Sequence, residues 1–302
     1  MSKKKILITG AEGFIAKNLV NFLSRKNFKI YGMGNKKHSK KISKKFGYQF
    51  LSNKKININN LKKEFKNLDL IIHCAGSGLV GLSAKENYKK NYLTTKSVLD
   101  FSIQLKEKPR IIFMSSYSLY GNSYTNSIKE NWALKPVSSY ALTKKSSEDI
   151  LLKYSQVYGL KIIILRLASI YGEGLKKQLI FDSCEKISNN RNIFYGTGNE
   201  IRDWLHVSDL CALVYKVIKK NSKNNMIVNC GSGKGSKVKD IIEIVKKQFN
   251  SRIKIKYVNI KQKSPKVLIT NIKLAKSFKW APKINIKKGI SEYIKWYKKI
   301  NA

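Results

Sequence analysis

The N-terminal half of the chain alternates short apolar runs with longer amphipathic stretches, and this alternation constrains the fold more than any other feature. The apolar runs have no polar face, as in strands that helices cover on both sides of a sheet. Strict alternation of strand and helix predicts a doubly wound α/β fold with a parallel sheet. The predicted strands are residues 5–9, 29–33, 68–74, 110–115 and 161–167, and the predicted helices are residues 15–25, 58–66, 88–105 and 140–158.

After Gly172 the pattern loosens into helices separated by short strands. We expect two domains, a first over residues 1–172 and a smaller C-terminal α+β lobe over residues 173–302, with one segment of the lobe returning to the first sheet. The predicted helices of the lobe are residues 175–187, 207–219, 238–249 and 286–300, and its predicted strands lie near residues 226–230 and 253–258.

The chain is strongly basic, with 61 Lys and Arg against 18 Asp and Glu and a net charge of +43. This charge leaves nucleic acid, acidic membranes and anionic small molecules as possible partners. Lysines are spread throughout, and the densest run, at residues 36–45, lies between predicted elements, which favours a compositional drift of the whole chain. Because no aromatic residues interleave with a basic groove, we expect no nucleic-acid partner.

The four cysteines and three histidines are scattered along the chain. They are Cys74, Cys184, Cys211 and Cys230, and His38, His73 and His206. Without a CxxC pair, this spacing indicates neither a disulfide framework nor a zinc site, so we expect no metal. The first apolar run is too short for a signal peptide, and no stretch of about 20 uncharged apolar residues could span a membrane. We expect a soluble cytoplasmic protein.

A glycine-rich turn follows the first predicted strand, where the chain reads TGAEGFIA and opens a helix. Gly10 permits a tight turn, Gly13 lets the backbone approach a pyrophosphate, and the small Ala16 lets the helix pack closely on the strand. The helix begins near Phe14 and Ile15, where unpaired N–H groups and the positive end of the helix dipole face the phosphates. The pattern predicts a dinucleotide-binding site in the first domain.

The end of the second predicted strand bears on the choice of dinucleotide. An acid there normally binds the ribose 2′-OH of NAD. The chain instead reads Gly34, Asn35, Lys36 and Lys37, which offers positive charge and a donor to a 2′-phosphate. The cofactor is therefore NADP or NAD, and this loop slightly favours NADP.

Tyr140 and Lys144 lie at i,i+4 spacing in a predicted helix and so share one face. A phenol with a pKa near 10 needs a neighbouring cation to act as acid or base at neutral pH, and Lys144 could supply that cation. Ser115 and Ser116 end the preceding strand, at the carboxyl edge of the sheet where ligands bind. Either residue alone would more often be an ordinary helix-surface residue, but their joint occurrence with the serines favours a catalytic site.

Motifs along most of the chain are similar to those of the extended short-chain dehydrogenases/reductases. They are ITGAEGFIA, HCAG, NYLTT, SSYSLYG, YALTK, LRLASIYGEG, RDWLHVSDL and NCGSG. In order and spacing they resemble the NAD(P)-dependent epimerase/dehydratase family, which acts on nucleotide-activated sugars. The resemblance implies a Rossmann fold, and a nucleoside-diphosphate sugar as substrate.

The resemblance also implies roles for individual residues. Tyr140 would be the acid/base on the sugar oxygen, Lys144 would lower its pKa and hold the nicotinamide ribose, and Ser116 would bind the same oxygen. Other implied cofactor contacts are Ala75, Gly76, Asn91, Ser115 and Ala168. Other implied substrate contacts are Ser169, Gln178, Ile193, Tyr195 and Arg202. The chain departs from many members at Ala168 and Ser169, and it has Lys261 and Lys263 where relatives place a second phosphate-binding Arg.

Three reactions are common in the family: 4,6-dehydration, inversion at C4, and reduction of a 4-keto sugar. Family dehydratases commonly carry a Thr-Asp-Glu run where this chain has Ser116, Tyr117 and Ser118, so dehydration is disfavoured. Fucose-type synthases, which also epimerise C3 and C5, carry a Cys where this chain has Ser118, so that additional activity is disfavoured as well. The residues 175–207 resemble UDP-sugar epimerases of bacterial surface-polysaccharide pathways, whereas the loop after Gly34 favours an NADPH-dependent reductase.

We lean to the epimerase and keep the reductase as the alternative. A non-enzymatic NADP-sensing regulatory protein is a further alternative of another class, although such proteins usually lose the Tyr and Lys pair. The resemblance implies a homodimer formed by the helices at residues 88–105 and 140–158.

Overall fold

The computed structural model describes residues 3–34, 49–52, 65, 67–78, 81–122, 127–220, 225–259 and 266–302. The chain divides into two compact units. The first unit comprises residues 1–119, 138–166 and 219–228, and the second comprises residues 120–137, 167–218 and 229–302. The chain first enters the second unit at Tyr120, returns to the first at Ser138 and leaves it again after Arg166, whereas the sequence analysis expects a single boundary after Gly172.

A seven-stranded sheet forms the centre of the first unit. Its strands are β1 (Lys4–Thr9), β2 (Phe28–Gly34), β3 (Gln49–Ser52), β4 (Leu70–His73), β5 (Arg110–Ser116), β6 (Ile162–Leu167) and β10 (Met226–Cys230), in the order β10-β6-β5-β4-β1-β2-β3. The pairs β1–β2, β1–β4, β2–β3 and β4–β5 are all parallel. This is the strand order of a doubly wound dinucleotide-binding fold, with β10 added at one edge. The sequence prediction of a parallel α/β sheet is confirmed.

Strands β4 and β6 and the last four residues of β1 are buried, as their mostly apolar sequences predict for a sheet covered on both faces. One cluster on this sheet joins Leu7, Ile71 and Phe113 to Leu99 and Leu151 from the covering helices. The sheet core therefore fixes the ends of β1, β4 and β5, where the candidate site residues lie.

The helices of the first unit include α1 (Phe14–Ser24), α2 (Ala84–Asn87), α3 (Thr94–Ile103) and α4 (Ser139–Tyr158). Helix α4 begins where the Ser138 side chain accepts a hydrogen bond from Ala141 N, at 3.2 Å. It ends at Gly159, whose φ of +69° is the left-handed conformation that closes many helices. The predicted helix 58–66 lies outside the described residues, apart from residue 65.

The predicted helix 88–105 starts earlier and is not uniform. A capping box at Ser83 and Glu86 starts α2, since each side chain accepts from the other's backbone N–H. Residues Tyr88–Leu93 then form a π-helical segment before α3 begins. The wider turn buries both Asn87 and Asn91 on the side facing α4.

The second unit combines small sheets with helices. Its strands are β7 (Ser169–Tyr171), β8 (Ile193–Tyr195), β9 (Ile201–His206), β11 (Gly235–Lys237), β12 (Lys256–Val258) and β13 (Val267–Leu268). Strand β9 pairs antiparallel with β11 and parallel with β7 and β13, while β8 pairs parallel with β12. Its helices include α5 (Gln178–Ser188), α6 (Val207–Lys220), α7 (Val238–Gln248), α8 (Lys273–Lys276) and α9 (Ile286–Asn301).

Several strands of the second unit have no apolar run that would predict them. Strand β9 reads IRDWLH, and its charged residues are compatible with a strand because Asp203 finds its partners inside the unit. The Asp203 carboxylate accepts hydrogen bonds from the backbone N–H and the hydroxyl group of both Ser232 and Thr270, and from Gly233 N. A fully satisfied carboxylate of this kind can be buried without a counter-ion.

Candidate active site

The glycine-rich turn connects β1 to α1 as the sequence predicts. Gly10 has a φ of +65°, and a methyl group on its Cα would lie 2.8 Å from the Cα of Ala75. Only glycine fits this close approach of two backbones. Gly13 precedes α1 in an extended conformation without a side-chain cap, and the first turn carries no acid. The start of α1, at Phe14 and Ile15, can therefore receive an anionic group such as a pyrophosphate.

The turn is also fastened to the end of β2. Ala11 N donates to the carbonyl oxygen of Met33 at 3.0 Å. A methyl group on Gly34 would lie 2.9 Å from Oε2 of Glu12, so the Glu12 carboxylate lies against the last residue of β2. Asn35 and Lys36, which the sequence predicts to contact the cofactor, lie with Lys37 outside the described residues.

The turn after β4 holds Ala75 and Gly76. Ala75 N donates to Thr9 Oγ1 at 3.2 Å, and Ser77 N donates to Asn91 Oδ1 at 3.0 Å. A methyl group on Gly76, whose φ is +145°, would lie 2.7 Å from the same Asn91 oxygen. Asn91 thus holds this turn in place from the π-helical segment.

His73 connects three elements of the first unit. Its Nδ1 lies 2.7 Å from Thr9 Oγ1, and its Nε2 lies 3.1 Å from Thr95 Oγ1. Because the Thr95 hydroxyl donates to Asn91 O, His73 must donate from Nε2 and accept at Nδ1. Burial, with a smaller contribution from Lys144, lowers the pKa of His73 to about 3. The imidazole is neutral and acts as a connector.

Tyr140 lies in the first turn of α4, with its hydroxyl next to the turn after β4. A methyl group on Gly78 would be 3.9 Å from the Tyr140 hydroxyl oxygen. Burial raises the pKa of Tyr140, and a hydrogen bond with Ser116 acts in the opposite direction. Tyr140 and Ser116 are therefore brought together, as their placement in sequence suggested.

Lys144 lies one turn further along α4 and is buried. Its Nζ donates to Met114 O at 2.8 Å and lies 4.5 Å from the centre of the Phe113 ring. Burial lowers the pKa of Lys144 to about 8, although Cys74 and Glu148 act against this shift. The expected lowering of the Tyr140 pKa by Lys144 is not found here, because the ammonium group is directed to the backbone of β5 and burial dominates at the phenol.

Ser116 ends β5 with its hydroxyl held locally. Its Oγ lies 2.9 Å from Ser118 Oγ and accepts from Ser118 N at 3.2 Å. The residue between them, Tyr117, begins a short 3₁₀ turn. This arrangement leaves Ser116 close to Tyr140 and places a second hydroxyl behind it.

An ion pair that the sequence interpretation missed lies directly beneath these groups. Arg166 Nη2 donates to Glu148 Oε2 at 2.8 Å, and both side chains are almost fully buried. Ser115 Oγ donates to the other carboxylate oxygen at 2.5 Å. Two signals could have found the pair: Glu148 repeats the i,i+4 spacing after Lys144, and Arg166 interrupts an otherwise apolar strand.

Apart from Ser116, the residues expected to contact substrate lie in the second unit, as does Ala168. Ala168 N donates to Cys230 O at 2.9 Å, and Ser169 pairs with Trp204 across β7 and β9. Gln178 starts α5 with a φ of +69°, which is uncommon for a residue with a side chain. Ile193 and Tyr195 point to the same face of β8 and are 48% and 66% exposed.

Arg202 lies on β9 beside Asp203. Its Nη1 donates to Ile201 O at 2.9 Å and approaches Lys266 O at 3.5 Å. Lys261 and Lys263, expected near a second phosphate contact, lie outside the described residues.

Among the residues that the structure describes, no group of three or more His, Cys, Asp or Glu side chains could hold a metal ion. No helix there is long and apolar enough to cross a bilayer.

Relatives of known or assigned activity match the chain over nearly its whole length. It is 29% identical over 307 residues to a putative UDP-glucose 4-epimerase of Methanocaldococcus jannaschii, covering 98% of this chain and 99% of the relative. It is 24% identical over 317 residues to the dTDP-D-glucose 4,6-dehydratase of Homo sapiens, covering 98% of this chain and 90% of the relative.

Solved structures show the same fold. The UDP-glucuronic acid 4-epimerase of Bacillus cereus, in complex with UDP-glucuronic acid and NAD, superposes with a TM-score of 0.88 at 21% identity, covering 98% of this chain and 99% of that one. The family model described as NAD dependent epimerase/dehydratase family matches residues 6–231. With a match over most of its length, the chain belongs to the NAD dependent epimerase/dehydratase family.

Proposed function

We propose that the protein is an NAD(P)-dependent nucleotide-sugar epimerase that inverts C4 of a nucleoside-diphosphate hexose. The observation that carries this proposal is the grouping of Tyr140, Ser116 and Lys144 at the carboxyl ends of β4 and β5, next to the glycine-rich turn. Family membership and the names of relatives, which include 4-epimerases of UDP-glucose and UDP-glucuronate, support the same reaction.

The first unit is suited to hold the dinucleotide. The turn at Gly10 and Gly13 would take the pyrophosphate, and the turn at Ala75 and Gly76 would run along it. Lys144 would hold a ribose hydroxyl. The bound dinucleotide would supply the hydride acceptor and donor for the sugar carbon.

The residues of this chain would move the proton. Tyr140 would take the proton from the C4 hydroxyl as hydride leaves C4, and would return it to the oxygen after hydride comes back to the opposite face. Ser116 would hold the same oxygen. Because burial raises the pKa of Tyr140, formation of the phenolate needs a cation, and Lys144 is the buried cation on the same helical face.

The second unit would bind the nucleotide. Arg202 would contact the diphosphate, for which a guanidinium fork is suited. Ile193 and Tyr195 are exposed and available to contact the base. Ser169 and Gln178 would lie near the sugar.

Epimerisation is favoured over dehydration because Tyr117 and Ser118 follow Ser116, so the 3₁₀ turn offers no carboxylate for elimination. An NADPH-dependent 4-keto reductase is the second candidate, and the residues that favour it are Asn35, Lys36 and Lys37. A regulatory protein that only senses the dinucleotide would not need the Tyr140 and Lys144 pair. We place the product in surface-polysaccharide synthesis because residues 175–207 resemble UDP-sugar epimerases of such pathways.

The deciding experiment incubates the purified protein with UDP-glucose, UDP-glucuronate or their N-acetylated counterparts and follows the sugar by proton NMR. An epimerase interconverts the C4 epimers with catalytic dinucleotide and no net change in its oxidation state. A reductase leaves these sugars unchanged and consumes NADPH only with a 4-keto sugar. Absence of both reactions, with dinucleotide bound, would favour the regulatory protein.

A homodimer is part of the proposal. Helix α4 and the segment before α3 expose large apolar side chains in the first unit, namely Tyr88, Leu93 and Leu142, at 47%, 40% and 53% exposure. Such residues, gathered on two helices, are typical of a surface that a second copy covers.

A further inference from the structure

The described first unit places an acid where the sequence of β2 offers none. The last residue of β2, Gly34, faces the side chain of Glu12 from the glycine-rich turn. A methyl group on Gly34 would lie 2.9 Å from Glu12 Oε2 and 3.1 Å from its Cδ. The Glu12 carboxylate therefore lies at the carboxyl end of β2, although it belongs to a different element.

Two contacts and the absence of a side chain at Gly34 fix this placement. Strands β1 and β2 pair in parallel, with Thr9 beside Met33. Ala11 N donates to Met33 O at 3.0 Å, which ties the turn to the strand end. Gly34 has no side chain, which leaves room for the carboxylate. The turn and the strand end thus form one corner, and Glu12 is its acidic group.

The end of the second strand is where an acid binds the adenosine ribose in NAD-dependent proteins of this architecture. A carboxylate accepts hydrogen bonds from the 2′- and 3′-hydroxyls of NAD. The same carboxylate repels a 2′-phosphate and gives it no donor. What matters for selection is the position of the charge and not the element that carries it.

We propose that Glu12 selects NAD(H) over NADP(H) by offering its carboxylate to the adenosine ribose in place of an acid on β2. The inference rests on the proposed dinucleotide site and reverses the slight preference for NADP that the loop after Gly34 suggested. It also agrees with recycling of the cofactor within one active site, for which an epimerase needs no external reductant.

Because the chain has a net charge of +43, the inference also predicts how the preference for NAD depends on salt. The field of the whole chain favours the dinucleotide with the additional phosphate, and salt screens that field with a Debye length of about 8 Å at 0.15 M. A local carboxylate acts at hydrogen-bond distance and is screened less. The preference for NAD should therefore grow as salt is raised.

The test measures dissociation constants of NAD and NADP by calorimetry, without sugar, at 0.15 M and 0.5 M salt. We expect the wild type to bind NAD at least about tenfold more tightly than NADP. Glu12→Gln keeps the size of the side chain and removes its charge, so it should reduce this ratio by about tenfold, the effect of one hydrogen bond to a charged group. Glu107→Gln, which removes an exposed carboxylate of the same unit, is the matched control and should keep the ratio.

A second variant leaves the carboxylate in the chain. Gly34→Ala forces the Glu12 side chain away from the strand end, and should also reduce the ratio. A wild type that binds NADP as tightly as NAD overturns the inference and leaves the proposed function standing, as does a ratio that Glu12→Gln leaves unchanged. A wild-type preference for NADP that Lys36→Gln/Lys37→Gln abolishes would place the selection in the loop after Gly34, and would likewise overturn the inference. Binding of neither dinucleotide would overturn the proposed function itself, and this inference with it.

Discussion

The ammonium group of Lys144 donates a hydrogen bond to the carbonyl oxygen of Met114 at 2.8 Å, so the helix that carries Tyr140 is fastened to the strand that ends in Ser116. These two elements bear the three candidate catalytic residues. Lys144 therefore has a structural contact in addition to the ribose contact proposed for it. Replacing Lys144 should therefore disturb both the alignment of α4 on β5 and the positive charge beside Tyr140.

Replacement of this cation is the first prediction. We expect Lys144→Met to lower kcat/KM for epimerisation by at least about a hundredfold, since the proton transfer of Tyr140 loses its buried cation and its alignment. The neighbouring Lys145→Met is the control, because Lys145 is exposed and pairs with Asp149. Steady-state kinetics with both variants check this, and equal activity of the two would argue against a special role for Lys144.

Tyr140 can be tested without disturbing the dinucleotide site. Tyr140→Phe removes only the hydroxyl, and we expect kcat to fall by about a thousandfold because a general acid/base is lost. The affinity for the dinucleotide, measured by calorimetry, should change little. Retained turnover in this variant would exclude Tyr140 as the proton-transfer group.

The buried pair of Glu148 and Arg166 predicts a large effect on stability. Glu148→Gln leaves Arg166 charged and buried with a neutral partner, which should cost about 3 kcal/mol of unfolding free energy. Asp149→Asn, at the next position of the same helix, breaks only an exposed pair and should leave the urea midpoint almost unchanged. Similar midpoints for the two variants would contradict a structural role of the buried pair.

The neutral state of His73 predicts how stability depends on pH. Its folded pKa, about 3, lies below the value of 6.5 for the unfolded chain, so the unfolded state binds more protons between these limits. Stability contributed by neutral His73 is therefore present above pH 6.5 and is lost as pH falls. We expect this residue to account for a loss of about 2 kcal/mol between pH 7 and pH 5.

Urea unfolding of the wild type and of His73→Gln at pH 7, 6 and 5 checks the effect. The variant should be less stable at pH 7 and should lack this part of the pH dependence. Parallel pH profiles for the two proteins would show that His73 does not titrate as its burial implies.

The proposed dimer surface can be broken by charge. Leu142→Glu places a carboxylate at the most exposed of the three apolar side chains of this surface, so a dimer formed there should dissociate. Sedimentation should give twice the chain mass of 34.6 kDa for the wild type and the chain mass for the variant. A wild-type protein that sediments as a monomer would refute the dimer.

The parts of the site that the sequence predicted are those whose geometry is local. Tyr140 and Lys144 share a face because they are four residues apart in one helix, and Gly10 and Gly13 lie in one turn between a strand and a helix. Spacing alone determines such relationships. The same holds for the alternating strands and helices of the first unit.

The parts that sequence could not predict depend on the register between distant segments. Glu12 meets Gly34 only because β1 and β2 pair with a particular offset, and His73 meets Thr9 because β4 lies on the other side of β1. Sequence alone looks for the ribose-binding acid in β2 itself, since nothing in it shows which turn bends over the end of that strand. Of the strands of the second unit, the sequence predicts β12, within the expected strand near residues 253–258. It does not predict β7, β8, β9, β11 and β13, since short polar segments become strands only when a neighbour pairs with them.

The π-helical segment Tyr88–Leu93 has a consequence for how this region can change in length. A single-residue deletion in an ordinary α-helix rotates the two sides against each other by about 100°. A π turn closes its hydrogen bond from i to i+5, one residue more than an α turn. Deleting the exposed Lys89 would therefore let the segment relax to ordinary helical winding while Asn87 and Thr95 keep their faces, so we expect a one-residue deletion to be tolerated here and not in α3 or α4.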